Sequence, residues 1–430
     1  MANISGPIAL NIAFYPWFAL GHLTSFLRLA NKLAERGHKV SYYLPTKTQS
    51  KLALQNHNPD QLTLIPIDVP PVDGLPPGAE TTNDATSAAP LIMTAMDMTR
   101  DTIESHLAQL KPDFVFYDFA YWMPELGRKH GFKTVHYITG YIARYALFAT
   151  FINNQFSTKE AADKAETLPE LPSEIFWMRA HESKIMAGVS SKKFGLKGLT
   201  LGEQFGKRVL LAGPVVPKPP SSKLEERFDD WLNVFGAASV IYCALGSECV
   251  LEINQFQELL LGLELTGKPF LAALKPPKDS ETVESAFPIG FEDRIRGRGI
   301  IHGGWVQQQL ILQHPSVGCF VTHCGIGSLS EAMGSQCQVV LMPQAVDQFI
   351  YARQMSLELK IGVEVEPRED DGLFTKEAVY KAVSMVMDEG SEVAAEVKAN
   401  HAKWREFILK DDLEDSYISS FIQSLQQMLE

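Results

Sequence analysis

Apolar positions along this chain fall into two alternating patterns. Short, nearly continuous apolar runs occur at Ile8–Phe14, Lys39–Leu44, Leu62–Ile67, Phe114–Tyr117, Thr134–Ile138 and Arg208–Ala212. Between them lie stretches with helical spacing, such as Leu23–Arg36 and Pro90–Leu110. Apolar strands separated by helices predict a parallel sheet covered on both faces, because a strand buried on both sides keeps no polar face. Residues 213–223, GPVVPKPPSSK, hold four prolines and two serines and read as an interdomain linker. The alternation then restarts at Val240–Leu245, Phe270–Leu274, Gly299–His302, Gly318–Thr322, Val339–Met342 and Gly362–Val365. Asp412–Met428 carries an amphipathic helical pattern, and 157–204 carries no clean pattern. The expected organisation is an N-terminal domain over 1–215, a linker over 216–235, a C-terminal domain over 236–411 and a closing helix over 412–430. The fold class is α/β, two doubly wound Rossmann-like domains, with ligands expected at the strand carboxyl ends in a cleft between them.

Composition narrows the function classes. A chain of 430 residues with 45% hydrophobic and 21% charged residues suits two ordinary globular domains. A net charge of −12 argues against nucleic acid or an anionic membrane as partner, since both need basic surfaces. The apolar stretch Ile8–Leu20 lacks a basic flank and contains Asn11 and Pro16, so it reads as a buried first strand and not as a signal peptide. No apolar run is long enough for a membrane span. The five cysteines form no CxxC pair and read as reduced thiols in a cytoplasmic protein. A monomer is the default expectation.

The candidate chemistry sits where strands end. The run Val317–Thr322 leads into His323-Cys324-Gly325-Ile326-Gly327-Ser328 and then a helical segment. A strand, a glycine turn and a helix start make a phosphate site, because amide N–H groups and the helix dipole face the anion. Cys324 within it reads as a packing residue. Leu245-Gly246-Ser247 follows another strand and offers amides and a hydroxyl to a diphosphate; an ordinary strand-to-helix turn is the alternative. Trp305, after Gly303-Gly304, offers a flat face for a base, or else is a core tryptophan. Glu331 suits ribose hydroxyls, with a solvated helix charge as the alternative. Asp347 and Gln348 suit sugar hydroxyls, with helix capping as the alternative. In the first half, His22 follows the first strand and Asp118 ends a later one. A neutral histidine there suits a general base, and an adjacent aspartate orients it; taken singly, His22 could cap or pack and Asp118 could cap a helix from about Tyr121. Aromatics crowd this rim. Phe14 and Tyr145 read as core, whereas Trp17, Phe18, Tyr121, Trp122 and Tyr141 are the candidate wall for a flat acceptor. There is no Asp-x-Asp for a divalent metal on a diphosphate, and no G-x-G-x-x-G after the first strand.

The 44 residues from Trp305 to Gln348 resemble, without a gap, the nucleotide-sugar box of plant UDP-dependent glycosyltransferases. The matching positions are Trp305, Gln308, His314-Pro315, Gly318, His323-Cys324-Gly325, Ser328, Glu331, Pro343 and Asp347-Gln348. Ile326-Gly327 stands where most members carry Trp-Asn. The resemblance implies a GT-B fold, a closing helix packed back on the first domain, and His22 and Asp118 as the catalytic pair. It implies UDP-sugar contacts from Gly21, Ser247, Trp305, Val306, Gln308, His323, Gly325, Gly327, Ser328, Glu331, Asp347 and Gln348. The UDP-sugar is then a co-substrate; no cofactor and no metal are expected. Pro16-Trp17-Phe18-Ala19, Asp118-Phe119-Ala120 and Gly327 resemble the branch that extends sugars of flavonoid and anthocyanin glycosides. Gln348 leans toward UDP-glucose as donor, with UDP-rhamnose and UDP-xylose as alternatives, and aglycones or terpenoids as alternative acceptors. A sugar-nucleotide epimerase and a non-catalytic binder are the rivals from other classes.

Overall fold

The computed structural model describes residues 9–85, 88–139, 210–213, 217, 222–388 and 390–430. The first elements in chain order are β1 (Asn11–Tyr15), α1 (Leu20–Ala34), β2 (Lys39–Pro45), α2 (Gln49–Ala53), β3 (Leu62–Ile67), α3 (Ala89–Met98), α4 (Arg100–Leu110), β4 (Phe114–Tyr117), α5 (Met123–His130) and β5 (Lys133–His136). After the linker come α6 (Glu226–Asn233), β6 (Val240–Ala244), α7 (Ile253–Leu265), β7 (Phe270–Ala273), α8 (Phe291–Ile295), β8 (Gly299–His302) and α9 (Gln308–Gln313). Then follow β9 (Val317–Thr322), α10 (Ile326–Gly334), β10 (Gln338–Leu341), α11 (Val346–Arg353), β11 (Gly362–Glu364), α12 (Lys376–Met387), α13 (Glu392–Ile408) and α14 (Leu413–Gln427). The chain divides into two units, and residues 411–430 return to the first.

The first unit holds a parallel sheet of order β3-β2-β1-β4-β5. Phe14 pairs with Phe116 across β1 and β4. The chain winds outward from β1 in one direction and resumes on its other side with β4, so the switch point of this doubly wound sheet lies between those two strands. One face of the sheet buries Phe14, Tyr42 and Phe116 against Phe26 of α1 and against α14. The C-terminal helix contributes Ile418, Phe421, Ile422 and Leu425 to this core, and the Phe421 ring meets Phe116 edge-on at 6.0 Å. The other face buries Tyr15, Tyr43, Ile103 and Trp122.

The second unit repeats the plan with the order β11-β10-β9-β6-β7-β8. Ala244 pairs with Thr322 across β6 and β9, and the switch point falls between those strands. Its core packs Ile241, Phe256, Phe270, Val321 and Val383.

Three expectations are corrected. The helical stretch Pro90–Leu110 is two helices broken at Thr99, whose hydroxyl turns back to the Met96 carbonyl at 2.7 Å and pairs with the Tyr15 hydroxyl at 2.6 Å. That local hydroxyl bond competes with continued helix. Leu210–Ala212 is not a strand; Leu210 and Ala212 pack on the first core, while Arg208 lies outside the described residues. Within the 216–235 linker, α6 is a helix that buries Phe228 and Leu232, because an apolar pair four residues apart makes one helix face.

Gly318 in β9 shows why backbone approach limits this sheet. A Cβ there would lie 2.1 Å from the Ala238 carbonyl oxygen, a backbone atom that cannot rotate away. We expect Gly318→Ala to destabilise the protein by roughly 1–3 kcal/mol, read by urea unfolding. Gly236→Ala serves as the control, since a Cβ there meets nothing within 4 Å; equal stability of the two variants would contradict the steric account.

Candidate functional site

In the first unit, β1 ends at Tyr15 and the chain passes through Pro16–Ala19 into α1, where His22 is the third residue. Asp118 directly follows β4. Because β1 and β4 are neighbours, the two side chains meet: His22 Nδ1 lies 2.6 Å from Asp118 Oδ2. The other carboxylate oxygen, Oδ1, accepts the Trp17 and Phe119 amide N–H groups at 2.7 and 2.8 Å. The Asp118 side chain is 1% exposed, and a buried carboxylate is tolerated when its lone pairs are met by charge-assisted hydrogen bonds. The His22 side chain keeps 19% exposure. The Phe119 ring stands edge-on to His22 at 5.6 Å, and Thr139 Oγ1 approaches Nδ1 at 3.5 Å. Helix α5 starts at Met123 with Trp122 at its N-cap, so Asp118 is not a helix cap.

The acceptor-wall aromatics sort by burial. Phe18 is fully buried and Trp122 is 2% exposed, its Nε1 donating to Asp97 Oδ1 at 3.0 Å. Both are core, and the expectation of a wall is corrected for them: a rim aromatic has the same sequence signature whether it faces inward or outward. Trp17 is also buried, stacked on Phe18 and tilted against Phe119. Tyr121 is 55% exposed. Phe14 is core as expected. Tyr141 and Tyr145 lie outside the described residues.

In the second unit, the turns after β6 and β9 flank the switch point. His323 is wedged between two glycines: a Cβ on Gly246 or on Gly325 would lie 2.5 Å from His323 Nε2. Gly246 has φ +76°, a left-handed conformation that favours glycine. Burial is the main force on the imidazole and pushes its pKa down from 6.5 to about 4, with the Asp347 charge and the Ala244 carbonyl acting in the opposite direction. Cys324, between them, has φ +66°, a strained conformation for a residue with a Cβ. It is fully buried, and burial pushes its thiol well above the ordinary value. It is a packing residue.

Helix α10 opens on this turn. Its first bond runs from the Leu329 amide to the Gly325 carbonyl at 3.0 Å, so the Ile326, Gly327 and Ser328 amides have no acceptor further back in the helix. A Cβ on Gly327 would meet nothing within 4 Å. Gln308, at the start of α9, ties the region together. Its Nε2 donates to Ser328 Oγ at 3.1 Å and to Glu331 Oε2 at 2.8 Å, while the Tyr242 hydroxyl donates to its Oε1 at 3.2 Å. Trp305 is 82% exposed, which removes the core alternative, and Val306 beside it is buried. Asp347 and Gln348 occupy the first turn of α11. Gln348 Oε1 accepts from the Gln344 and Ala345 amides at 2.8 and 2.9 Å, so the capping alternative is realised for that oxygen. Ser247 follows Gly246 in the first of the two turns, and Gly21 precedes His22 in the other unit. Tyr242 and Thr139 carry no signal of their own in the sequence; each is an ordinary strand or loop residue whose role depends on a distant partner.

Because its folded pKa of about 4 lies below the unfolded value of 6.5, His323 stabilises the fold fully above pH 6.5 and progressively less as the pH falls toward 4. Histidine side-chain nitrogen resonances should show His323 neutral from pH 7 down to pH 5; protonation near pH 6.5 would contradict its burial.

The family model for UDP-glucoronosyl and UDP-glucosyl transferase matches residues 213–396. The chain is 51% identical to a cyanidin 3-O-galactoside 2''-O-xylosyltransferase of Actinidia chinensis var. chinensis, over 99% of this chain and 100% of the relative. It is 48% identical to an anthocyanidin 3-O-glucoside 2''-O-glucosyltransferase of Ipomoea nil, over 97% and 98% of the two chains. Among solved structures, UGT2 of Phytolacca americana, complexed with UDP-2fluoro-glucose and pterostilbene, aligns with a TM-score of 0.72 at 20% identity, covering 98% of this chain and 99% of that one. That likeness gives the fold, GT-B, with two Rossmann-like domains. Among the described residues no helix is long and apolar enough to cross a membrane. Full-length identity at this level leaves one assignment: the chain belongs to the plant UDP-glycosyltransferases, in the branch related to enzymes of anthocyanin glycosides.

Proposed function

We propose that this enzyme transfers a sugar from a UDP-sugar to the 2''-hydroxyl of the sugar on an anthocyanin or related flavonoid 3-O-glycoside. The observation that carries the reading is that both full-length relatives, at 51% and 48% identity, are named for that acceptor position. Glucose is the favoured donor sugar through Gln348, and xylose is the second reading because the 51% identical relative is named a xylosyltransferase.

The geometry supports a direct displacement. His22 takes the acceptor proton on Nε2, while Asp118, 2.6 Å from Nδ1, holds the ring in that tautomer and stabilises the imidazolium formed. The acceptor oxygen attacks the anomeric carbon and UDP departs from the opposite face, so an α-linked donor gives a β-linked product. The start of α10, with its outward amides and Ser328, receives the charge developing on the diphosphate. His323, held neutral, contributes hydrogen bonding and packing and no charge. Trp305 stacks on the base, and Glu331, oriented by Gln308, accepts from ribose hydroxyls. Asp347 and Gln348 hold the transferred sugar, and the exposed ring of Tyr121 meets the acceptor. In this reading UDP-sugar is a co-substrate, transfer is metal-independent and the enzyme works as a cytoplasmic monomer.

Incubation with UDP-glucose, UDP-xylose or UDP-rhamnose against cyanidin and its 3-O-glycosides, read by mass spectrometry, should show one sugar added to the glycosides alone. Gain on the aglycone alone would reject the acceptor class. His22→Ala should lower kcat/KM by about 10²–10⁴-fold while calorimetry still reads UDP binding; unchanged turnover would remove His22 from the mechanism.

A further inference from the structure

One ion pair in the first unit is built where ionic groups gain little stability. Lys32, in the last turn of α1, is buried at 7% exposure. Its Nζ lies 3.2 Å from Glu414 Oε2 and 3.4 Å from Glu35 Oε2. Glu414, in the first turn of α14, has its other oxygen, Oε1, buried with no hydrogen-bond partner. Beside it Arg36 Nη2 pairs with Asp415 Oδ1 at 2.5 Å. Helix dipoles favour a cation at the end of α1 and anions at the start of α14. A largely buried pair, with Lys32 at 8% and Glu414 at 21% side-chain exposure and one carboxylate oxygen orphaned, is nonetheless a poor stabiliser, since apolar residues of similar volume serve as well or better. What such a pair does supply is register.

The register matters because of what the two helices carry. His22 stands at the other end of α1, ten residues and about 15 Å along a rigid helix from Lys32. Asp118 stands two residues beyond Phe116, whose ring meets Phe421 of α14 at 6.0 Å and Phe14 of β1 at 4.7 Å. One helix therefore touches both elements that deliver the His22–Asp118 pair, holding α1 by charge and β4 by an aromatic edge. On the reading that this pair is catalytic, we infer that the Lys32–Glu414 clasp of the C-terminal helix is a positioning device that sets the His22–Asp118 hydrogen bond. Lys32 and Glu414 are positioning residues; neither touches substrate.

The test is a variant whose stability and activity move apart. Lys32→Met with Glu414→Leu replaces the clasp by an apolar contact. The thermal midpoint should hold or rise, kcat should fall about tenfold or more, as small misplacements of reacting groups do, and KM for UDP-sugar should stay within twofold, since every donor residue but Gly21 lies in the other unit. The low-field proton resonance of His22 Nδ1–H, identified by its loss in Asp118→Asn, should shift or broaden. Glu414→Asp, which keeps the charge, should retain most of kcat. An unmoved resonance overturns the proposal, as does an unchanged kcat in an enzyme that turns over. The resonance reads the clasp without turnover, so absence of transfer to any glycoside by the wild-type protein would strike the functional reading and leave this inference separately decidable.

Discussion

The first unit is organised around the buried carboxylate of Asp118. Asp118 cannot sit in the protein interior as a bare anion, and its neighbours are arranged so that it does not. It takes the His22 ring on one oxygen and two backbone amides on the other. Each of those bonds fixes something beyond itself. The Trp17 amide pins the loop between β1 and α1, the Phe119 amide pins the turn after β4, and the imidazole bond fixes which nitrogen faces solvent. The loop that buries Trp17 and Phe18 is therefore part of the support of the carboxylate more than a surface offered to an acceptor.

The second unit solves a different problem with the same topology. A protein of net charge −12 has no general attraction for a nucleotide sugar, so attraction has to be local. The switch point between β6 and β9 brings two turns together, and the start of α10 adds oriented amides with no side-chain charge in its first turn. Gln308 ties Ser328 and Glu331 to the core strand β6 through Tyr242, giving groups on a short helix the stiffness of the sheet.

Much of this was legible in the chain. Strand positions were clear because strands buried on both faces are uninterrupted apolar runs; Leu62–Ile67, Phe114–Tyr117 and Gly299–His302 have the bounds their sequence predicts. The glycine turn was legible because a strand, Gly-x-Gly and a helix pattern leave few alternatives. Side-chain direction was not. Phe18, Trp122 and Tyr121 have one signature and opposite fates; for Trp122 the decision is made by Tyr15 of β1 and Asp97 of α3, both far along the chain. The break at Thr99 was hidden because neither glycine nor proline marks it, only a hydroxyl whose partner is Tyr15. The caps were ambiguous for a related reason: Asp118 and Gln348 both sit where a cap belongs, and only Gln348 serves as one.

The vise around His323 has an evolutionary corollary. Positions 246, 323 and 325 form one steric unit, since the imidazole fills the space that a side chain at either glycine would need. A Cβ at 246 or 325 needs the ring to move, so position 325 can change only together with 323, while 246 is held in addition by its left-handed backbone. Gly327 is two residues away on the same turn and carries no such debt, because its Cβ direction opens onto empty space. The turn is thereby unevenly open to change: positions 246, 323 and 325 are tied to one another, whereas position 327 at the helix start can take a side chain on its own.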